Sequence, residues 1–171
     1  MPTPSDLLST VGQRLTHSGL TLVLEPGRSL IGDVALLVTK VVGVKRNVNN
    51  YIVVDGAMTE LIRPALYNAY HHIELTEPSR SQLGHDVFNI VGPVCESTDF
   101  LGKKRYLPYP EEGAGVAIFD VGAYGSCMAS NYNMRCRPVE VMVNGNTWRI
   151  IKKPENLEDL LRPFVDLPKV P

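Results

Sequence analysis

The sequence is poor in the features that mark membrane, secreted and nucleic-acid-binding proteins. No apolar run reaches the roughly 18–20 residues of a membrane span. The 17 basic and 18 acidic residues nearly cancel, which gives no reason to expect a polyanion partner. The three cysteines are odd in number and lack metal-ligand spacing, which favours free thiols in a reducing compartment. We therefore expect no nucleic acid, no membrane and no metal, and the first residues show no targeting segment.

The first 30 residues have the pattern of one helix followed by one buried strand. Thr3, Pro4 and Asp6 form a helix start with a capping box, and an apolar stripe predicts a helix that ends at Gly19. Leu20–Leu24 is almost wholly apolar, which is typical of a parallel strand buried on both faces. One such unit cannot bury itself. Residues 1–30 are therefore predicted to be the last helix and strand of an otherwise missing (β/α)8 barrel.

Residues 31–171 have a different pattern, and we predict a second domain there, with the boundary near Ser29–Asp33. Short strand candidates alternate with Gly and Pro turns, which indicates a mainly β fold, an antiparallel Greek-key-like barrel or a sandwich. Asn144-Gly145 predicts a hairpin. The predicted strands are Val34–Val44, Asn50–Val54, His72–Leu75, Val87–Val91, Gly115–Phe119, Val139–Val143 and Thr147–Ile151, and the predicted helices are Thr59–Tyr70, Ala123–Ser130 and Asn156–Leu161.

Two short segments place arginines where they could bind carboxylates. Glu25-Pro26-Gly27-Arg28 directly follows the apolar strand, at the end where barrel enzymes build their sites. Gly27 lets a ligand approach the backbone closely, and Arg28 offers a planar fork, although a plain turn would have the same sequence. Arg63 and Tyr67 are four residues apart and share one face of a helical turn. The alternative is an amphipathic helix that simply packs inward.

Two further positions follow glycine-containing turns. Cys95 and Glu96 lie in a loop after Gly92-Pro93, and a free cysteine there is either a catalytic residue or a small packed one. Tyr124 follows a predicted strand and a glycine turn that would expose its ring, unless the ring simply packs.

Together and in this order, these motifs resemble the C-terminal half of the diaminopimelate decarboxylase family, fold-type-III enzymes that use pyridoxal 5'-phosphate. The resemblance covers about Pro4 to Phe164 and implies decarboxylation of meso-2,6-diaminopimelate to L-lysine and carbon dioxide. It implies that Glu25, Pro26, Gly27, Arg28 and Tyr124 contact the cofactor. It also implies substrate contacts, and these would come from Arg28, Arg63, Tyr67, Glu96 and Tyr124.

The resemblance further implies that Cys95 is catalytic and returns a proton to the substrate. Glu96 would bind the distal ammonium, where related ornithine and arginine decarboxylases carry aspartate. In this family the enzyme is a homodimer, and the cysteine loop reaches the partner's site. The family pattern has alanine where Val121 stands, a departure that concerns local packing.

No segment resembles the family's lysine-bearing strand, its histidine loop or its triple-glycine phosphate loop. The chain is therefore expected to be inactive alone, as a truncated gene model, a proteolytic piece or one part of a split enzyme whose partner is the missing barrel half. Alternatives are a lysine-less regulatory homologue and a fragment of an ornithine, arginine or carboxynorspermidine decarboxylase. The expected compartment is the cytoplasm for a bacterial protein and the plastid stroma for a plant or algal one.

Overall fold

The computed structural model describes residues 3–79 and 81–165. Of the two predicted domains, residues 1–2, 80 and 166–171 lie outside the described ranges. The helices are α1 Pro4–Leu15, α2 Arg28–Ile31, α3 Arg63–Tyr67 and α4 Leu157–Leu161. The strands are β1 Leu37–Arg46, β2 Asn50–Val54, β3 Ile73–Leu75, β4 His85–Val91, β5 Phe100–Pro108, β6 Gly115–Ile118, β7 Glu140–Asn144 and β8 Thr147–Lys152.

Six of the strands form one mixed sheet in the order β3-β6-β1-β2-β4-β5. The two end strands approach each other, because a side chain added at Gly102 in β5 would meet Ile73 of β3 at 2.6 Å. The sheet is therefore nearly closed into a barrel. Its interior is an apolar core of twelve buried side chains, Val41, Ile52, Val54, Leu61, Ile73, Phe88, Ile90, Leu101, Leu107, Tyr109, Val116 and Ile118.

The mainly β prediction is confirmed, but the pairing is not purely antiparallel. Strands β2 and β4 run parallel, with Asn50 opposite Phe88 and Val53 opposite Val91. The 30 residues 55–84, which include α3 and β3, connect these two strands and make a parallel return possible. The hairpin at Asn144-Gly145 is confirmed as β7–β8, although it forms a separate two-stranded sheet.

The helix α1 is confirmed, and the strand predicted after it is wrong. Thr3 and Asp6 make the predicted capping box, but the helix ends at Leu15 rather than at Gly19. Leu20–Leu24 has no strand pairing, and Val23 is 79% exposed. A parallel strand buried on both faces needs neighbouring strands, and residues 3–79 and 81–165 offer none to this segment.

Two predicted helices differ in the structure, and one strand was missed. The helix predicted over Thr59–Tyr70 shrinks to α3, because Pro64 restricts it to a start at Arg63 and Asn68 ends it in the left-handed conformation. The helix predicted over Ala123–Ser130 is only a 3₁₀ turn at Ser126–Met128. Strand β5 was not predicted, because its charged Lys103-Lys104-Arg105 run is typical of a loop; charges on a sheet edge also prevent unwanted pairing.

Gly122 joins the first segment of the chain to the barrel, and this gives a prediction. Its N–H donates to the Gly32 carbonyl at 3.0 Å, and a Cβ added there would overlap the Ile31 carbonyl oxygen. We expect Gly122→Ala to destabilise the protein by roughly 1–3 kcal/mol, because backbone cannot move aside as a side chain can. Urea denaturation of the 171-residue chain measures the change.

Gly12 supplies the control for this substitution. It lies inside α1, and an added Cβ would meet nothing within 4 Å. Gly12→Ala should therefore stabilise the protein by up to about 1 kcal/mol, through helix propensity alone. Equal effects of the two substitutions would contradict the close approach at Gly122.

Candidate functional site

The predicted site residues around Gly27, Arg63 and Tyr124 meet at one end of the barrel. The Arg63 guanidinium carbon lies 5.6 Å from the ring centre of Tyr67 and 5.6 Å from that of Tyr124. A Cβ added at Gly27 would lie 3.2 Å from the Tyr124 hydroxyl. The backbone of Tyr124 has a φ of 60°, a left-handed conformation that is unusual for a residue other than glycine, and this conformation sets the direction of its side chain in the turn after β6. Loop, helix and turn thus bring four predicted residues together.

The buried His71 ties these elements to each other, although the sequence did not indicate a role for it. Its Nδ1 lies 2.9 Å from the Phe119 carbonyl, and because that oxygen can only accept, Nδ1 carries the proton and donates. The next residue, His72, accepts the Phe119 N–H at 2.9 Å. The segment after α3 is therefore fixed to the end of β6. Arg63 lies in α3 and Tyr124 lies in the turn after β6, so this contact helps to hold the two residues near each other.

The environment of His71 favours the neutral form of its imidazole. Burial lowers the pKa of His71, and the positive charges of Arg28 and Arg63 lower it further, against the opposing effects of the Phe119 carbonyl and Asp120. The influence of both arginines on one imidazole places Arg28 in the same neighbourhood as Arg63. The Nε of Arg63 is buried and has no hydrogen-bond partner among the described residues.

A groove of about 650 Å³ runs beside Gly27 and Tyr124. Its other side is formed by Arg137 and Lys152, and both of these charges are paired, with Glu155 and Glu140. Within the described ranges, the amides of Gly27, Arg28 and Ser29 donate to no protein acceptor. An anionic group such as a phosphate could approach these N–H groups closely, because Gly27 has no side chain of its own.

Cys95 and Glu96 lie in the loop between β4 and β5, and Glu96 lines a second groove of about 320 Å³. The Oε1 of Glu96 accepts from the Thr98 N–H at 3.1 Å and from the Thr98 hydroxyl at 3.0 Å. No hydrogen bond between described residues joins Cys95 or Glu96 to the Gly27–Tyr124 cluster. The predicted site is thus present as two groups of residues.

Exposure does not single out Cys95 among the thiols. Cys95 and Cys127 are both exposed, and Cys136 is half-buried. Cys127 lines the groove beside Gly27 and Tyr124. Its position in the 3₁₀ turn after Tyr124 could have been found only from the geometry of that turn.

None of the helices in residues 3–79 and 81–165 is both long and apolar enough to cross a membrane. Over the same residues, no group of three or more His, Cys, Asp or Glu side chains is placed to hold a metal ion.

The Glu155 carboxylate that holds Arg137 beside the groove gives a pH prediction. It accepts from the Arg137 Nε at 2.7 Å, the Arg137 N–H at 2.8 Å and the Asn131 amide at 2.6 Å. The hydrogen bonds from Arg137 lower the pKa of Glu155 from 4.5 to about 2. A carboxyl group whose pKa is lowered in the folded state stabilises the protein at a pH above its pKa in the unfolded state. This stabilisation is lost as the pH falls through the pKa in the folded state.

We therefore expect wild type and Glu155→Gln to differ by a constant free energy of unfolding above pH 4.5, and to converge as the pH falls from 4.5 to about 2. Urea denaturation across this range measures the difference. Glu77→Gln is the matched control, because Glu77 is exposed. If the difference in free energy of unfolding stays constant down to pH 2, the Glu155 carboxylate does not stabilise the fold through its charge.

Comparison with known proteins identifies the family. Residues 30–122 match the model of the pyridoxal-dependent decarboxylase, C-terminal sheet domain. A probable chloroplastic diaminopimelate decarboxylase of Oryza sativa is 50% identical over 169 residues, which are 98% of this chain and 34% of that protein. Diaminopimelate decarboxylase of Neisseria meningitidis serogroup A is 52% identical over 140 residues, 81% of this chain and 34% of that one.

Solved structures agree with this assignment. A protein of Aquifex aeolicus superposes with a TM-score of 0.87 at 39% identity over 97% of this chain and 41% of that one. Diaminopimelate decarboxylase of Helicobacter pylori, complexed with L-lysine, gives 0.83 at 40% identity over 92% of this chain and 39% of that one. The chain thus spans between a third and about two-fifths of the length of these relatives. It belongs to the family of pyridoxal-dependent decarboxylases and carries their C-terminal sheet domain.

Proposed function

We propose that the chain is the C-terminal part of a pyridoxal 5'-phosphate-dependent decarboxylase that converts meso-2,6-diaminopimelate to L-lysine and carbon dioxide. The observation that carries the proposal is the meeting of Gly27, Arg63, Tyr67 and Tyr124 at one end of the barrel. The chain is also 50% identical to a probable diaminopimelate decarboxylase over nearly its whole length. A cytoplasmic location in a bacterium, or a plastid one in a plant or alga, belongs to the same proposal.

The cofactor would be held by the segment before α2. Glu25, Pro26, Gly27 and Arg28 form its turn, and the unpaired N–H groups there suit the phosphate. The Tyr124 hydroxyl lies beside Gly27 and would close this side of the site. When bound, pyridoxal phosphate supplies a sink for the electrons that remain when carbon dioxide leaves.

The substrate has two carboxylates and two ammonium groups, and the chain offers a partner to several of them. Arg28 and Arg63 would bind carboxylates, since neither forms a salt bridge within the described residues. Tyr67 stacks on Arg63 and orients it. Glu96 would bind the distal ammonium, and its side chain is longer than the aspartate expected in related decarboxylases.

Cys95 would donate the proton that replaces the lost carboxyl group. Its loop makes no hydrogen bond with the Gly27–Tyr124 cluster among the described residues, so a second subunit is the simplest source of the thiol in each site. The complete enzyme is therefore proposed to be a homodimer, in which the Cys95–Glu96 loop of one subunit completes the site of the other.

The first test joins the chain to the part that its relatives have before the matched region. The chain alone should not release carbon dioxide from meso-diaminopimelate with added pyridoxal phosphate. Fused behind the preceding part of the rice protein, it should turn over at roughly 1 per second or faster. A fusion that binds the cofactor and remains inactive would favour a non-catalytic, regulatory partner.

The cysteines provide an internal comparison in the same fusion. Cys95→Ala should lower kcat by roughly a hundredfold or more, as expected for loss of a proton donor, while cofactor binding is retained. Cys127→Ala should change stability at most. The reverse result would move the proton donor to Cys127 and remove the argument for a loop supplied by the second subunit.

The second test concerns substrate recognition. Arg63→Ala removes a charge-assisted hydrogen bond worth about 1.5–3 kcal/mol, so kcat/KM for meso-diaminopimelate should fall roughly 10- to 150-fold. Glu96→Asp should also lower kcat/KM, because the shortened side chain no longer reaches the ammonium. Steady-state kinetics of the fusion enzyme measure both effects.

Arg46→Ala is the matched control for Arg63→Ala. Arg46 also lies over a tyrosine, with its guanidinium carbon 5.1 Å from the Tyr109 ring centre, but it belongs to β1 and has no predicted role in the site. It should leave kcat/KM unchanged. Unaltered kinetics in Arg63→Ala would refute its role as a carboxylate clamp.

A further inference from the structure

Asp99 is a buried carboxylate just behind the Cys95–Glu96 loop. Its side chain is 5% exposed, and each oxygen accepts one backbone N–H from a different part of the chain. Oδ1 accepts from Met58 at 2.7 Å, and Oδ2 accepts from Val94 at 2.7 Å. Charge-assisted hydrogen bonds of this length are among the stronger ones in proteins. One carboxylate therefore joins the loop to the segment after β2.

The loop is folded tightly around this carboxylate. The N–H of Gly92 donates to the Asp99 carbonyl at 3.2 Å, the N–H of Asp99 donates to the Glu96 carbonyl at 3.0 Å, and the N–H of Glu96 donates to the Val94 carbonyl at 2.8 Å. A Cβ at Gly92 would lie 2.7 Å from the Asp99 Oδ1 and would overlap the other carboxylate oxygen. Only glycine leaves room for Asp99 at this position.

The other end of the clamp leads to the arginine helix. Met58 precedes α3 by five residues, and Met58 and Ile62 line the small groove together with Glu96 and Thr98. The Thr98 hydroxyl lies 3.9 Å from the Met58 sulfur. The same carboxylate therefore fixes both walls of this groove, the loop wall through Val94 and the helix wall through Met58.

We propose that Asp99 is a positioning residue that fixes the Cys95–Glu96 loop against the segment leading to Arg63. The inference rests on the proposed function for its catalytic consequence, because Cys95 and Glu96 act on substrate only in that function. Asp99 itself is too enclosed to meet substrate. It acts by setting where the thiol and the Glu96 carboxylate stand relative to the Arg63 helix.

The clamp can be tested on the 171-residue chain without any catalysis. In Asp99→Asn the amide keeps the size of the carboxylate, but its NH₂ group faces an N–H donor, so one of the two hydrogen bonds is lost. Amide hydrogen exchange should become at least several-fold faster at Val94 or Met58, as the local opening energy falls. Exchange at the core positions Ile52 and Ile90 should stay as in wild type.

Asp86→Asn is the matched control for the exchange experiment. Asp86 also links distant segments, since its carboxylate accepts from the Asn50 side chain at 2.9 Å and from the Tyr109 hydroxyl at 3.2 Å, and it accepts the Val87 N–H at 2.7 Å as well. It should leave exchange at Val94 and Met58 unchanged. Unchanged exchange at both amides in Asp99→Asn overturns the proposal, and so does equal acceleration throughout the barrel.

The catalytic consequence is tested in the fusion enzyme with a double-mutant cycle. Asp99→Asn should lower kcat roughly tenfold when Cys95 is present, which is less than the full contribution of a general acid. In a Cys95→Ala background it should lower kcat by less than about threefold, because residues that act through one another are not additive. A merely structural Asp99 would lower kcat by the same factor in both backgrounds and would overturn the inference.

The two experiments keep this inference separate from the proposed function. If the wild-type fusion does not release carbon dioxide, the proposed function is wrong, and the exchange rates alone decide whether Asp99 holds the loop. If the fusion is active and Asp99→Asn matches wild type in kcat and KM, the proposed function stands and the positioning role is refuted.

Discussion

The buried hydroxyl of Thr39 holds the turn on which the rest of the site depends. It donates to the Asp55 carboxylate at 2.5 Å and accepts the N–H of Gly56 at 2.7 Å. Asp55 also accepts the N–H of Lys40 at 2.8 Å, and these hydrogen bonds lower the pKa of its carboxyl although burial opposes them. These hydrogen bonds fix the path of the chain after β2. The chain then reaches Met58, whose N–H donates to Asp99, and continues to Arg63.

From this turn, the barrel end is assembled by contacts between segments distant in sequence. Asp99 holds the cysteine loop, His71 holds the end of β6, and Arg135 donates to the Asp55 carbonyl at 2.8 Å. Each of these contacts joins a side chain to a backbone carbonyl or N–H, so each one fixes the main chain of a distant segment. Such support is what a site needs if its charged groups are to stay in place when substrate arrives.

The sequence predicts the features that depend on neighbouring residues, but it does not predict strands whose pairing depends on residues far away in the chain. The capping boxes at Thr3 and Asn156 and the Asn144-Gly145 turn follow from neighbouring residues, and the structure contains all three. Whether Leu20–Leu24 and β5 form paired strands depends on neighbours distant in sequence, which a local pattern cannot supply. The motifs could therefore be identified from their order in the sequence. The contacts of His71 and Asp99 became visible only in the three-dimensional structure.

The site arginines differ from the supporting ones in what neutralises them. Arg137 is bound by Glu155 and Arg135 lies 3.7 Å from Glu60, so these charges are already matched within the fold. Arg28 and Arg63 have no carboxylate partner among the described residues, and they lower the pKa of the one buried imidazole near them. Arg28 and Arg63 thus remain available to an anion from outside the chain, and the diacid substrate and phosphorylated cofactor proposed above would supply several.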